Sequence, residues 1–221
     1  MTIIVLSCSK NEELFYPFKH CMEKNYPNHS EIIYFTDGII NPYYKTIPIE
    51  MSMDKWTKGF REFLNRINDN YVLLMIDDCF IRNPVDENRI KEALEIMKKE
   101  ENVALMNFEK SWDTSDEPTK YDCWKKRKAG SLFEVSIMCG LWQKDKLMKV
   151  MERDCDLWTI ELEQESYGFD YYINAGEYII DWGYKAFKPC GVVKGKWTRE
   201  CMDFLKSEGL EVDYSKKGFY L

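Results

Sequence analysis

Short apolar runs alternate with amphipathic stretches through the first half of the chain. Ile3 to Leu6 is a β-branched run that ends in the polar loop Ser7-Cys8-Ser9-Lys10-Asn11. A helix is expected next, to about Tyr26, closed by Pro27-Asn28-His29. Ile32-Ile33-Tyr34-Phe35 reads as a second strand ending at Thr36-Asp37-Gly38, and 39–53, with Pro42 and Pro48, reads as a loop. In Asp54 to Asn68 the residues Trp56, Phe60, Phe63, Leu64 and Ile67 recur at helical spacing and make one stripe. Tyr71 to Ile76 is apolar without alternation, as expected of a strand covered on both faces, and Asp77-Asp78 follow directly. Asn83-Pro84 reads as an N-cap and first helical residue, with Ile90, Ala93, Leu94 and Met97 at helical spacing behind it. Val103 to Met106 is the next buried strand. The order β-α-β-α-β-α-β predicts an α/β fold with a mostly parallel sheet flanked by helices.

The second half has a different character. Residues 111–127 are polar and charged around Trp112 and Trp124. Leu132 to Leu141 is expected to be a strand, Gln143 to Met151 a helix, and Trp158 to Gln164 a short helix. Tyr178-Ile179-Ile180 and Lys185-Ala186-Phe187 suggest a hairpin around 181–184, and a last helix runs from Trp197 to Leu205, ending near Gly209. No repeat or linker divides the 221 residues, so one domain is expected, with 1–110 as one half and 111–221 as the other.

Composition narrows the classes. A chain of this length buries roughly 70% of its unfolded surface, enough for an unaided core. The net charge of -7 argues against a protein that binds nucleic acid mainly through charge, although Lys125-Lys126-Arg127-Lys128 is a basic run. No apolar run approaches the ~20 residues of a membrane span, and the N-terminus reads as a first strand, not a signal peptide. The eight cysteines form no C-x-x-C pair, and with two histidines there is no zinc-site spacing. They read as reduced thiols, which places the protein in the cytoplasm.

Asp77 and Asp78 are the strongest chemical signal. Ligands of open α/β sheets bind outside the carboxyl ends of the strands. Two adjacent carboxylates there repel each other, and a divalent cation would relieve the repulsion. Ser7, Ser9 and Asp37 follow the first two strands and so belong to the same edge. Lys194-Gly195-Lys196 combines close backbone approach with cations suited to phosphate, just before the last helix; Lys216-Lys217 is a second basic pair. There is no P-loop pattern and no G-x-G-x-x-G after the first strand.

At these residues the chain resembles glycosyltransferases of the GT-A fold. Tyr71 to Phe80 is similar to their central strand and its D-x-D motif, with Cys79 at the third position in place of the usual acid. Gly140-Leu141-Trp142-Gln143-Lys144, followed by Trp158-Thr159-Ile160-Glu161, resembles the G-x-W-x-K and W-x-x-E elements of small bacterial and viral members. The resemblance implies a nucleotide-sugar half (1–110) and an acceptor half (111–221). It implies donor binding by Ser7, Ser9, Asp37, Asp77, Asp78, Lys194 and Lys196. It also implies a divalent metal, Mn2+ or Mg2+, held by Asp78 and Asp77. Glu161 becomes the catalytic base of an inverting transfer, with Glu163, Glu165 and Asp170 as rivals, and Trp158 an acceptor-binding ring. The acceptor would be a hydroxyl of a glycan, a lipid-linked sugar, a protein or a modified nucleobase. A catalytically silent nucleotide-binding or scaffold protein of the same fold and a nucleotidyltransferase are the alternatives. The missing third acid favours the former, and a shared acidic strand end the latter.

Overall fold

The computed structural model describes residues 1–163, 167–183 and 191–220. Glu165 and the Lys185–Phe187 arm of the expected hairpin lie outside the described residues. The strands of the first half are β1 (Thr2–Leu6), β2 (Ile32–Thr36), β3 (Lys45–Pro48), β4 (Tyr71–Ile76) and β5 (Val103–Lys110). Those of the second half are β6 (Glu117–Pro118), β7 (Trp124–Lys126), β8 (Gly140–Gln143), β9 (Asp170–Asn174), β10 (Val192–Val193) and β11 (Lys196–Trp197). Helices α1 (Phe15–Asn25), α2 (Trp56–Leu64), α3 (Glu87–Lys99), α4 (Lys144–Val150), α5 (Leu157–Leu162) and α6 (Arg199–Ser207) connect and cover them.

Nine strands form one mixed sheet in the order β3-β2-β1-β4-β8-β5-β9-β7-β6. β1 pairs in parallel with both β2 and β4. Strands of both halves share this sheet, because β8 inserts antiparallel between β4 and β5. The α/β architecture expected from the apolar pattern is present, with one difference of neighbours: β4 and β5 are not adjacent.

The non-alternating strands do bury both faces. Ile3, Val5, Leu73 and Met75 pack on one side with Phe15, Phe18 and Met22 of α1 and Ile90 and Met97 of α3. Ile4, Leu6, Val72 and Leu74 pack on the other with the α2 stripe and Leu147 of α4. Phe35 on β2 sits 5.1 to 5.6 Å, ring centre to ring centre, from Trp56, Phe60 and Phe63.

Several boundaries move, each for a local reason. α2 ends at Leu64, not Asn68, because Arg66 and Ile67 bond to the carbonyls three residues back, a tighter turn than the α-helix. The cap of α3 is Asp86, whose carboxylate accepts from Asn88 N and Arg89 N at 3.1 Å. Asn83-Pro84 precedes it in a loop fixed by Val85 N on Asn25 O. The segment 39–53 contains the edge strand β3. The strand expected at Leu132 to Leu141 survives only from Gly140 on. Phe133 turns the chain at a φ of 56°, and the Arg127 guanidinium donates to the carbonyls of Leu132 and Phe133. Tyr178-Ile179-Ile180 is not a sheet strand. It runs along the loop after β4, where Asp86 N donates to Ile179 O and Arg82 N to Asp181 O.

Candidate active site

The carboxyl ends of β1, β2, β4 and β5 open on one edge of the sheet. Asp77 is fully buried there. Its backbone N–H still bonds Leu6 O, so the side chain leaves the sheet at a fixed point. Ser7 Oγ donates to Oδ2 at 2.5 Å and Asn11 Nδ2 to Oδ1 at 3.0 Å. The polar loop after β1 is thus folded around the first acid of the pair. Desolvation, with the neighbouring Asp78 charge, pushes the Asp77 carboxyl up to about 8 against the Ser7 and Asn11 bonds. Asp78 keeps some contact with solvent, and desolvation raises it too.

Asp78 is gripped from the far end of the chain. Val192 N donates to its Oδ2 at 2.8 Å. Gly191 makes this approach possible, since a Cβ there would lie 2.6 Å from the same oxygen. From Gly191 the chain forms the hairpin β10–β11, whose two-residue tip is Lys194 and Gly195 with φ of 50° and 72°. Positive φ at both positions is the signature of a type I′ turn, and glycine takes the second at no steric cost. Lys194 at the tip lines the cleft. Lys196, on β11, is exposed and is not among the lining residues. The α6 N-terminus is closed by its own cap: Thr198 is buried, accepts from Cys201 N, and donates to Gly191 O.

The tail brings a lysine that carries little signal in the sequence. Lys217 Nζ is nearly buried, pairs with Glu13 at 3.3 Å, donates to Asn11 Oδ1 at 2.8 Å and also bonds Lys10 O. Accepting from Lys217 through its oxygen, the Asn11 amide presents its nitrogen to Asp77. Lys217 also lowers the Asp77 and Asp78 carboxyls through its charge.

Glu161 faces the same cleft from α5. That helix is capped by Asp156, which accepts from Thr159 N at 3.0 Å. The segment before it is tied to α2, where Thr57 Oγ1 donates to Arg153 O and accepts from Cys155 N. Glu161 is buried, and its Oε1 accepts from Ile137 N at 2.9 Å. Desolvation, aided by the nearby Glu109 charge, pushes its carboxyl up to about 7. Trp158 is 62% exposed and lines the cleft beside it. Of the rivals, Glu163 is exposed and paired with Arg153, and Asp170 is held by Lys126 at 2.7 Å; neither lines the cleft.

The cleft has a volume of about 1130 Å³. Asp77, Asp78, Glu161, Trp158, Ser9, Lys194 and Lys217 all contribute to its lining. Ser7 reaches it only through Asp77. Asp37 is exposed and holds Ser9, accepting from its N at 2.6 Å and its Oγ at 3.1 Å. Cys79, at the third motif position, is buried in the core and lines the floor. Gly140 to Gln143 is β8, with Trp142 buried, and Lys144 donates to Ile67 O, so this element supports the fold. The basic run at 125–128 is interrupted, because Arg127 is buried against Asp116.

Among the described residues no three His, Cys, Asp or Glu side chains converge as a metal cluster. Asp77 and Asp78 still suit a hard cation that takes its remaining oxygens from a bound diphosphate and water, a usual arrangement for Mg2+. Burial and the Asp78 charge hold a proton on Asp77, and a cation there would take that proton's place. No described helix is long and apolar enough to cross a membrane.

No family model matches the chain, and no curated protein does. Solved structures with a similar course include the bifunctional IspDF from Campylobacter jejuni, at 15% identity and TM-score 0.48 over 80% of this chain and 50% of that one. CMP:2-keto-3-deoxy-manno-octonic acid synthetase in complex with CTP aligns at 11% identity and TM-score 0.48, over 78% of this chain and 88% of that one. TarS of S. aureus aligns at 10% identity and TM-score 0.49, over 80% of this chain and 35% of that one. The chain thus spans half of the IspDF chain and about a third of TarS. Likeness at this level assigns no activity to the chain.

Proposed function

We infer that the protein is a glycosyltransferase that moves a sugar from a nucleoside diphosphate donor to a hydroxyl acceptor with inversion, in the cytoplasm. One observation carries the reading. Two acids at the end of β4 and a third on α5, more than eighty positions later, line one cleft together with lysines from the hairpin tip and the tail. Acid–base chemistry needs a carboxyl near neutrality on the acceptor side, apart from the groups that meet phosphate. Glu161 has that character, with a carboxyl pushed up to about 7.

In this reading Asp77, Asp78 and the β1 loop hold the nucleotide. A divalent cation on Asp78 and Asp77, when bound, would neutralise diphosphate charge. The Glu161 carboxylate takes the proton of the acceptor hydroxyl. The acceptor oxygen attacks the anomeric carbon as the bond to the β-phosphate oxygen breaks, and the electron pair leaves with the nucleoside diphosphate. Lys194, at the hairpin tip in the cleft lining, would stabilise that charge, while Lys217 is committed to Glu13, Asn11 and Lys10 and braces the first loop. Trp158 offers an exposed ring beside the base. With Cys79 at the third motif position, Asp78 would take the usual metal-ligand place beside Asp77.

Calorimetric titration of nucleoside diphosphates and sugar nucleotides, with and without Mn2+, tests the donor site. At least one sugar nucleotide should bind. Lys194→Ala should weaken it severalfold, and Lys196→Ala should leave it unchanged. A folded protein that binds no nucleotide would overturn the reading. Binding of a nucleoside triphosphate with release of pyrophosphate would replace it with nucleotidyl transfer.

A further inference from the structure

A second cavity opens at the carboxyl end of β5, beside the large cleft. It has a volume of about 130 Å³ and is lined by Glu109, Lys110, Trp112, Tyr178, Ile180 and Trp182, with Ser111. A site for a whole drug-sized ligand has roughly 300–1,000 Å³, so this cavity takes one ring and not a nucleotide. Its walls are aromatic and its rim is polar.

The cavity is held from behind by buried groups. Trp112 is 42% exposed on its front, and the Arg127 guanidinium lies 5.5 Å from its ring centre. Arg127 is itself fixed by Asp116 at 3.3 Å and by two backbone carbonyls. Ser111 Oγ donates to the same Asp116. Lys110 Nζ stands 5.5 Å from the Tyr178 ring. The segment that carries Tyr178, Ile180 and Trp182 is pinned to the loop after β4 through Ile179 O and Asp181 O. The rings are thus set before any ligand arrives, which lowers the ordering cost of binding.

Position gives the cavity its meaning. Trp182 lines both this cavity and the large cleft. Glu161 lines that cleft as well, and Glu109 lines the cavity on the other side of the shared Trp182. A group seated here would share the Trp182 wall with the cleft that holds Glu161.

We propose that this cavity binds one pyranose ring of a saccharide acceptor, with Trp112 as the stacking face and Glu109 and Lys110 as hydroxyl partners. A pyranose presents C–H groups on its faces and hydroxyls around its edge. The C–H face is complementary to the negative face of an aromatic ring. The hydroxyl edge needs an acceptor and a donor in different directions, which the Glu109 carboxyl and the Lys110 ammonium supply. This assignment rests on the transferase reading for its place in the reaction, and it selects a carbohydrate from the acceptor classes left open above.

Saturation-transfer NMR with methyl α- and β-glycosides of glucose, galactose, mannose and N-acetylglucosamine tests it, alone and with UDP or GDP present. At least one glycoside should bind. Trp112→Ala should weaken it about tenfold, in line with removal of one aromatic face. Trp112→Phe should restore most of the affinity, and Glu109→Gln should weaken it severalfold. Nucleotide affinity, measured on the same samples, should be unchanged in the Trp112 variants. The proposal is overturned if no glycoside binds in either state. It is equally overturned if Trp112→Ala and Glu109→Gln both bind as well as wild type, or if nucleotide affinity falls with glycoside affinity. Glycoside binding through Trp112 without any sugar-nucleotide binding would uphold this site and remove the transferase reading.

Discussion

Asp77 and Glu161 are both buried carboxyls pushed towards neutrality, to about 8 and about 7, yet they are held in opposite ways. Asp77 is wrapped by side chains: Ser7 and Asn11 from the first loop, with Lys217 behind Asn11 from the tail. Its nearest electrostatic opponent is the next residue, Asp78. Glu161 rests on the backbone amide of Ile137, with the Ser136 hydroxyl as its side-chain partner. The first arrangement is a tuned network in which an incoming cation or ligand exchanges charge with many groups. The second is an acid with fewer partners and no adjacent acid, although desolvation is the first cause of the rise in both. Binding chemistry fits the first, and proton transfer fits the second.

The largest effect that can break this contrast is on turnover. Glu161→Gln should lower glycosyl transfer by a factor on the order of 10² to 10⁴, the usual contribution of a positioned base. Donor affinity should stay as in wild type. On the proposed function, wild-type kcat/KM should rise with pH through about 7, as the Glu161 carboxyl ionises, and the Gln variant should lose that limb. A pH profile of single-turnover rates checks both statements.

Next is donor binding. Asp78→Ala should weaken sugar-nucleotide binding by about 10²-fold, from the loss of a charged partner worth roughly 1.5–3 kcal/mol. Calorimetric titration checks it, and equal affinity in the variant would remove Asp78 from the donor site.

The tail lysine should have a smaller effect, and mainly on stability. Lys217→Met leaves Glu13 buried without its cation and should cost about 1–3 kcal/mol of unfolding free energy, read from denaturant titration. Glu13→Gln in the same chain should recover part of that loss. A double-mutant cycle with no coupling would show that the tail does not brace the first loop.

The smallest effect concerns pH and stability. Asp77 keeps its proton in the folded state up to about 8, while an unfolded Asp gives it up near pH ~3.9. Between those values the folded state binds more protons, so stability falls as pH rises through the window. Asp77→Asn has no proton to lose there. Its Tm should therefore fall less than that of the wild type as pH rises from about 5 to about 8. A wild-type Tm that falls no more than that of Asp77→Asn over this range would mean that Asp77 is held as an anion, and the contrast with Glu161 would collapse.

Much of the first half is legible in one dimension because its signals are local. The α2 stripe from Trp56 to Ile67 and the unalternating run Tyr71 to Ile76 are patterns of neighbours, and both elements form where expected apart from their ends. The polar loop Ser7 to Asn11 and the acids at 77 and 78 follow from the rule that the carboxyl ends of parallel strands share an edge. The second half is less legible because its order depends on distant partners. The stretch before Gly140 has the apolar content of a strand, but Arg127 takes its carbonyls and Phe133 turns it. Lys194 and Lys196 look equivalent two positions apart, until a type I′ hairpin sends one into the cleft and leaves the other outside its lining.

The sequence by itself determined the α/β class, the two-faced burial of β1 and β4, and the placing of an acidic pair at a strand end. These depend on periodicity and on residue type, which are properties of short segments. Only the tertiary structure decided that β8 separates β4 from β5, and that Val192 N meets Asp78 across more than a hundred residues. It alone aligned the Asn11 amide through Lys217 and walled a cavity with Trp112, Tyr178 and Trp182. Such contacts close long loops. Their free energy comes from burial and hydrogen bonds made only after the chain has folded, and no local pattern records them.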